Sequence, residues 1–122
     1  MSPTITETAE AFSRHQFDET YPLILDEAQW TLVRGEPIRG KSDILKACEE
    51  AASGLRDVKT TFTRFKVMTT DDCVVIDSQA EYVGDDGESS HVASCDIYEF
   101  TDGNIAVITS YNVELPPGPS SS

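Results

Sequence analysis

Ser94-Cys95-Asp96-Ile97-Tyr98-Glu99-Phe100-Thr101-Asp102-Gly103-Asn104-Ile105 reads as a β-strand, a tight turn and a returning strand. Asp-Gly supplies the positive φ angles that a two-residue hairpin turn requires, and apolar residues alternate on either side of it. Ser94, Asp96, Tyr98 and Phe100 fall on one strand face. An acid that shares a face with two aromatics is either a solvated surface group or a buried carboxyl with a raised pKa. Only the second is a device for chemistry.

Outward from this hairpin, the same two-residue period extends in both directions. Strands are expected at 58–69, 73–83, 89–100 and 104–114, with turns at Thr70-Asp71-Asp72, Gly84-Asp85-Asp86-Gly87 and Asp102-Gly103. Before them the period lengthens. Ile44, Leu45, Cys48, Ala52 and Leu55 recur at helical spacing, which predicts a helix over 43–53 with Ser42 as N-cap and Gly54 as its stop. Trp30, Leu32 and Arg34 alternate in a short strand closed by Gly35-Glu36-Pro37. Asp18 could cap a short helical segment carrying Tyr21, Leu23, Ile24 and Leu25, limited by Pro22. The first helix begins near Ser2 or Thr4; Pro3 suits a first helical position, and Thr4 with Glu7 has the spacing of a capping box. Its apolar face is Ile5, Ala9, Phe12 and Gln16.

Helices first and strands last predict an α+β domain, with N-terminal helices packed on a curved antiparallel sheet. A sheet of four long strands twists, so wrapping it over helices leaves a cone-shaped cavity between the layers. The domain is expected over 1–115, and Pro116-Pro117-Gly118-Pro119-Ser120-Ser121-Ser122 reads as a disordered tail.

Nine basic and 22 acidic residues give a formal charge of −13, which repels nucleic acid and anionic membrane surfaces. Cys48, Cys73 and Cys95 are odd in number and unpaired in spacing. With no apolar signal-like segment after Met1, they point to reduced thiols and a cytoplasmic location. Cys95 reads as an inert buried thiol rather than a nucleophile. His15 and His91 are the only histidines, and no metal-ligand spacing or cofactor fingerprint is present, so neither metal nor cofactor is expected.

Leu25-Asp26-Glu27-Ala28-Gln29-Trp30, Pro37-Ile38-Arg39-Gly40 before a helix, and the run from Asp96 to Ile105 resemble, in order and spacing, the nuclear transport factor 2-like superfamily, in particular its SnoaL-like small proteins. The likeness spans residues 5 to 115. It implies the cone fold, a homodimer packed through the sheet, and a cavity for a small, largely apolar molecule. That superfamily holds isomerases, cyclases, dehydratases, epoxide hydrolases and non-catalytic modules, so the likeness alone fixes no reaction. Within it, ketosteroid isomerase carries a protonated Asp at the position of Asp96. Leu32 stands where that enzyme has its general base, and the first helix has no Tyr. Both departures argue against steroid isomerisation.

If Asp86-Gly87 forms the second hairpin turn, Asp77 faces Asp96 across the strands, together with Gln79, Glu81, Ser94 and Tyr98; a four-residue loop leaves the same residues on that face. Two adjacent carboxyls would then divide acid and base roles. The competing reading makes this the solvated face, with Val74, Ile76, Ala80, Ala93, Cys95 and Ile97 inside. On the first reading Asp96 and Asp77 are catalytic, while Trp30, Leu32, Arg34, Tyr98 and Tyr111 line the ligand pocket. Two functions remain: a cofactor-free acid–base enzyme, or a non-catalytic dimeric module of the same fold.

Overall fold

The computed structural model describes residues 4–116. Helix α1 (Ile5–Ser13) opens with the expected capping box: Thr4 N–H donates to Glu7 Oε1 at 2.8 Å, and Glu7 N–H donates to Thr4 Oγ1 at 3.1 Å. Pro3 lies outside the described residues, as does the tail from 117 onward. A 3-10 helix (Phe17–Leu23) follows, starting from Gln16 without a side-chain cap, so Asp18 does not serve as one. Ile24 and Leu25 belong instead to strand β1 (Ile24–Leu32), which begins well before Trp30. A short β2 (Ile38–Arg39) leads into α2 (Lys41–Gly54), whose N-cap is Gly40 rather than Ser42. Gly54 remains in the helix and Leu55 is its C-cap. The last four strands, β3 (Val58–Thr69), β4 (Cys73–Gly84), β5 (Ser89–Thr101) and β6 (Asn104–Leu115), match the expected periods closely.

The six strands form one sheet in the order β2-β1-β6-β5-β4-β3. It is mixed rather than wholly antiparallel, because β1 runs parallel to β6 with Trp30 beside Ile108. The helices cover one face, where Ile44 and Cys48 of α2 and Ala9 and Phe12 of α1 meet Ile76, Tyr98, Ile105 and Ile108 of the sheet in a single buried cluster. Phe12 makes edge contacts with Phe17, Trp30 and Tyr98 at centroid distances of 5.0, 5.0 and 5.9 Å, so it pins α1 to the sheet. None of the helices among the described residues is long and apolar enough to cross a membrane.

Two turns set the register. Asp102 and Gly103 have φ of 52° and 82° and close the two-residue hairpin between Thr101 and Asn104, as the Asp-Gly pair predicts. The β4–β5 turn differs from either expected length. Gly84 N–H donates to Glu88 C=O at 2.8 Å, leaving the three residues 85–87 as the loop, with Gly87 at φ 85°. An odd loop shifts the pairing by one residue, and a one-residue shift exchanges the two faces of the strand. Ile76 therefore faces Asp96, and Asp77 faces Cys95.

Candidate active site

Asp96 enters the interior because of that register. Its face also carries Tyr98 and Phe100, both buried, and across the hairpin Val74, Ile76, Ser78 and Ala80 turn the same way. The β5–β6 pairing then shifts by one between Glu99 and Phe100, which brings Ser110 opposite Asp96. A cavity of about 270 Å³ lies between this inner face and the helices. That is slightly below the ~300–1,000 Å³ of common ligand clefts. Phe12, Phe17, Trp30, Leu32, Leu55 and Phe62 form its apolar wall, and Asp96 is the carboxyl in it.

Three hydroxyls and an indole organise that carboxyl. Ser13 Oγ donates to Asp96 Oδ2 at 2.8 Å and lies 2.6 Å from Tyr98 Oη. A serine has one hydroxyl proton, so while Ser13 donates to Asp96 it must accept from Tyr98. On the other side Trp30 Nε1 donates to Ser110 Oγ at 3.0 Å, and the Ser110 hydroxyl in turn supports Asp96. Burial raises the Asp96 pKa above the usual carboxylate range, and it outweighs the opposing hydrogen bonds from Ser110 and Ser13. Complete burial likewise pushes the Tyr98 phenol well up, so it remains a neutral donor.

The other expected site residues divide. Trp30, Leu32 and Tyr98 belong to the inner layer, with Trp30 and Leu32 on the cavity wall. Asp77 does not join Asp96. It points to the opposite face and pairs with Arg64, whose Nε and Nη2 lie 3.0 and 2.9 Å from its Oδ2. Glu81 and Gln79 leave with it, since the same one-residue shift governs the whole strand. Tyr111 is exposed, because the β5–β6 irregularity places it beside Cys95 on the outer face. Val107, aligned with Glu99, lies on the outer face for the same reason. Arg34 falls beyond the end of β1 at φ 83° and is exposed, so it does not reach the cavity wall. Cys95 is half-buried on the outer face, where burial and then Asp96 and Asp77 raise its pKa; Cys48, in the core, is pushed up to about 12. All three thiols are unbridged.

Ser13, Ser78, Ser110 and His15 also line the cavity without having been singled out as site residues, and so does Tyr82, one of three tyrosines, with Tyr98 and Tyr111, whose hydroxyl the sequence allows to point into a pocket. A signal for the serines was present: each interrupts an otherwise apolar face. Ser13 lies four residues after Ala9, Ser78 lies between Ile76 and Ala80, and Ser110 lies two after Ile108. Among the described residues no group of three or more His, Cys, Asp or Glu converges as a metal site.

A family model described as a SnoaL-like domain matches residues 5–108. No curated protein matches the sequence. Among solved structures, an NTF2-like protein of unknown function from Cytophaga hutchinsonii superposes with a TM-score of 0.77 at 26% identity, covering 87% of this chain and 93% of the other. An LEH-like epoxide hydrolase from M. tuberculosis gives a TM-score of 0.69 at 17% identity, over 89% and 82% of the two chains. A proposed polyketide cyclase from Xanthomonas campestris gives 0.68 at 16% identity, over 85% and 83%. At those last two identities the likeness is one of fold.

Proposed function

The chain belongs to the SnoaL-like domain family, and we propose that it binds a small, largely apolar, oxygen-bearing molecule in the cone cavity and acts on it by cofactor-free acid–base chemistry. Asp96 is the proton-carrying group in this reading. The observation that carries it is a lone carboxyl set in an apolar cavity, held by Ser13 and Ser110, with its pKa raised by burial. An acid with an elevated pKa stays protonated closer to neutrality, which suits donation to a carbonyl, epoxide or enolate oxygen. With Asp77 outside, Asp96 takes the base role only after it has given its proton to the substrate oxygen: the carboxylate left behind then removes a proton from a substrate carbon or from a bound water, which restores the acid. Isomerisation, aldol-type cyclisation, dehydration and epoxide opening all fit that chemistry. The names of the structural neighbours include the cyclase and epoxide-hydrolase types.

The same reading carries a homodimer formed through the outer sheet face, where Met68, Tyr111 and Val113 are exposed, and a cytoplasmic location. A non-catalytic binding module is the second reading. The missing second carboxyl favours it, because Asp77 contributes nothing to the cavity.

The test is a thermal-shift and turnover screen with aromatic β-diketones, terpene epoxides and naphthols on wild type and Asp96→Asn. A ligand at a hundred times its dissociation constant stabilises the fold by about 2.7 kcal/mol. For an enzyme, turnover of the active compound falls by about 10²–10⁴-fold in Asp96→Asn, the usual worth of a positioned acid or base. Binding without turnover in either protein selects the module reading, and no binding by wild type rejects the ligand cavity.

A further inference from the structure

A second polar pair lies in the cavity, apart from the Asp96 cluster. His15, just past α1 at φ 67°, places Nε2 3.0 Å from Tyr82 Oη. Both residues line the cavity, Tyr82 from the turn end of β4 and His15 from the helix layer. The imidazole is packed against Phe17, Phe62 and the Tyr82 ring at centroid distances of 5.6, 6.0 and 6.0 Å. Burial lowers the His15 pKa, so the ring is neutral and carries one N–H.

Which nitrogen carries that proton follows from the other one. Nδ1 is buried and has no hydrogen-bond partner among the described residues. An orphaned N–H is rarer in folded proteins, and costlier, than an unused lone pair. The proton therefore sits on Nε2, and Nε2–H donates to Tyr82 Oη. A phenol oxygen that accepts from His15 still has its own proton to give. Among the described residues Tyr82 makes no second side-chain hydrogen bond. Burial and then the Asp96 charge raise the Tyr82 pKa, which keeps the hydroxyl protonated.

We propose that Tyr82 is a ligand-binding hydroxyl that donates to a second acceptor oxygen of the cavity's ligand, and that His15 is its positioning residue. The ligand is then a compact apolar molecule with two oxygen functions set apart: one meets Asp96, and a carbonyl, ether or epoxide oxygen meets Tyr82. This rests on the cavity being a ligand site, as proposed above.

Two rigid probes separate the claims: 2-naphthol, with one oxygen, and 6-acetyl-2-naphthol, which adds a carbonyl at the far end. Affinities are read by fluorescence titration on wild type, Tyr82→Phe and His15→Phe. The acetyl group should strengthen binding to wild type roughly two- to tenfold, the worth of one added neutral hydrogen bond. Tyr82→Phe should erase that gain and leave 2-naphthol binding unchanged. His15→Phe should reduce the gain while preserving ring packing. A purely structural histidine would not lower the acetyl gain while 2-naphthol affinity holds, and ¹⁵N spectra of the wild-type imidazole test the donor assignment directly, with Nε2 protonated and Nδ1 bare. A gain that survives Tyr82→Phe, or a proton on Nδ1, overturns the proposal. If 2-naphthol binds wild type and the acetyl group adds nothing, Tyr82 alone is refuted. If neither probe binds wild type, the cavity reading fails and takes this one with it. Should Tyr82→Phe not fold, the two-probe comparison on wild type and the tautomer still decide.

Discussion

Asp96 and Asp77 sit on neighbouring strands, one step of register apart, and their surroundings are opposite. Asp96 lies inside, held by the Ser13 and Ser110 hydroxyls, with its pKa raised by burial. Asp77 lies outside, with its side chain 41% exposed and paired to Arg64, whose side chain is 47% exposed. Sequence context scarcely separates them: each is an acid in an alternating strand with an isoleucine beside it. A pleated strand sends adjacent residues to opposite faces, so the parity of one loop decides which acid is buried. The burial of Asp96 rather than Asp77 is thus set by the three-residue loop at 85–87.

The largest effect that tests this comparison comes from the partner that faces Asp96. Ile76 is fully buried, and Ile76→Ala should cost ~2–5 kcal/mol through lost transfer energy and the void left behind. Val75, facing Ile97 on the outer side, is half-buried, and Val75→Ala should cost only about 0.8 kcal/mol. Urea denaturation measures both. Equal losses would mean that the two faces are not distinguished in solution as the register requires.

The second effect has a sign that depends on pH. Because burial raises the folded-state pKa of Asp96, the folded protein holds that proton to higher pH than the unfolded chain does. Stability is therefore lost as pH rises from the unfolded value, ~3.9, through the folded one, and the penalty is complete above it. Asp96→Asn keeps the shape and cannot ionise. It should melt higher than wild type at pH 7, and the gain should vanish as pH falls below the unfolded value. Melting temperatures from pH 3 to 8 test this. A difference that stays constant with pH would remove the titration from the account and with it the argument for Asp96 as an acid.

The register was partly readable from the residues. Val74, Ile76 and Ala80 on β4 and Tyr98 and Phe100 on β5 are all even-numbered. If both apolar faces are to meet one core, the loop between them must hold an odd number of residues. The pair of glycines in Gly84-Asp85-Asp86-Gly87 instead suggests two or four. Backbone closure settles it: Asp86 Oδ1 accepts from Glu88 N–H at 3.0 Å, and Gly87 takes the left-handed position. The Asp102-Gly103 turn was fully legible, because only one loop length fits that dipeptide between alternating strands. Tyr111 was not. Its direction depends on a one-residue irregularity near Glu99, and no local residue type announces that bulge. The parallel union of β1 with β6 is also a matter of tertiary packing, decided by Trp30 and Ile108 meeting in the core rather than by either strand's own pattern.

The smallest effect belongs to Asp77. Both Arg64 nitrogens converge on the single oxygen Oδ2, so the pair lacks the two-oxygen fork that makes arginine–carboxylate contacts strong. Both side chains are open to water, where such pairs contribute ~0.2–1 kcal/mol and are screened within ~10 Å at 0.1 M salt. Asp77→Asn should therefore lower stability only slightly, less still in 1 M salt, and an Arg64→Gln, Asp77→Asn double-mutant cycle should isolate that coupling. Its decisive readout is what does not move. A ligand whose binding depends on Asp96 should bind Asp77→Asn unchanged, and the pH dependence of the Asp96→Asn difference should survive in the Asp77→Asn background. If Asp77→Asn instead weakened ligand binding as Asp96→Asn does, the two carboxyls would have to share one face. The strands would then pair one residue away from the register in which Ile76, Tyr98 and Ser110 are buried together.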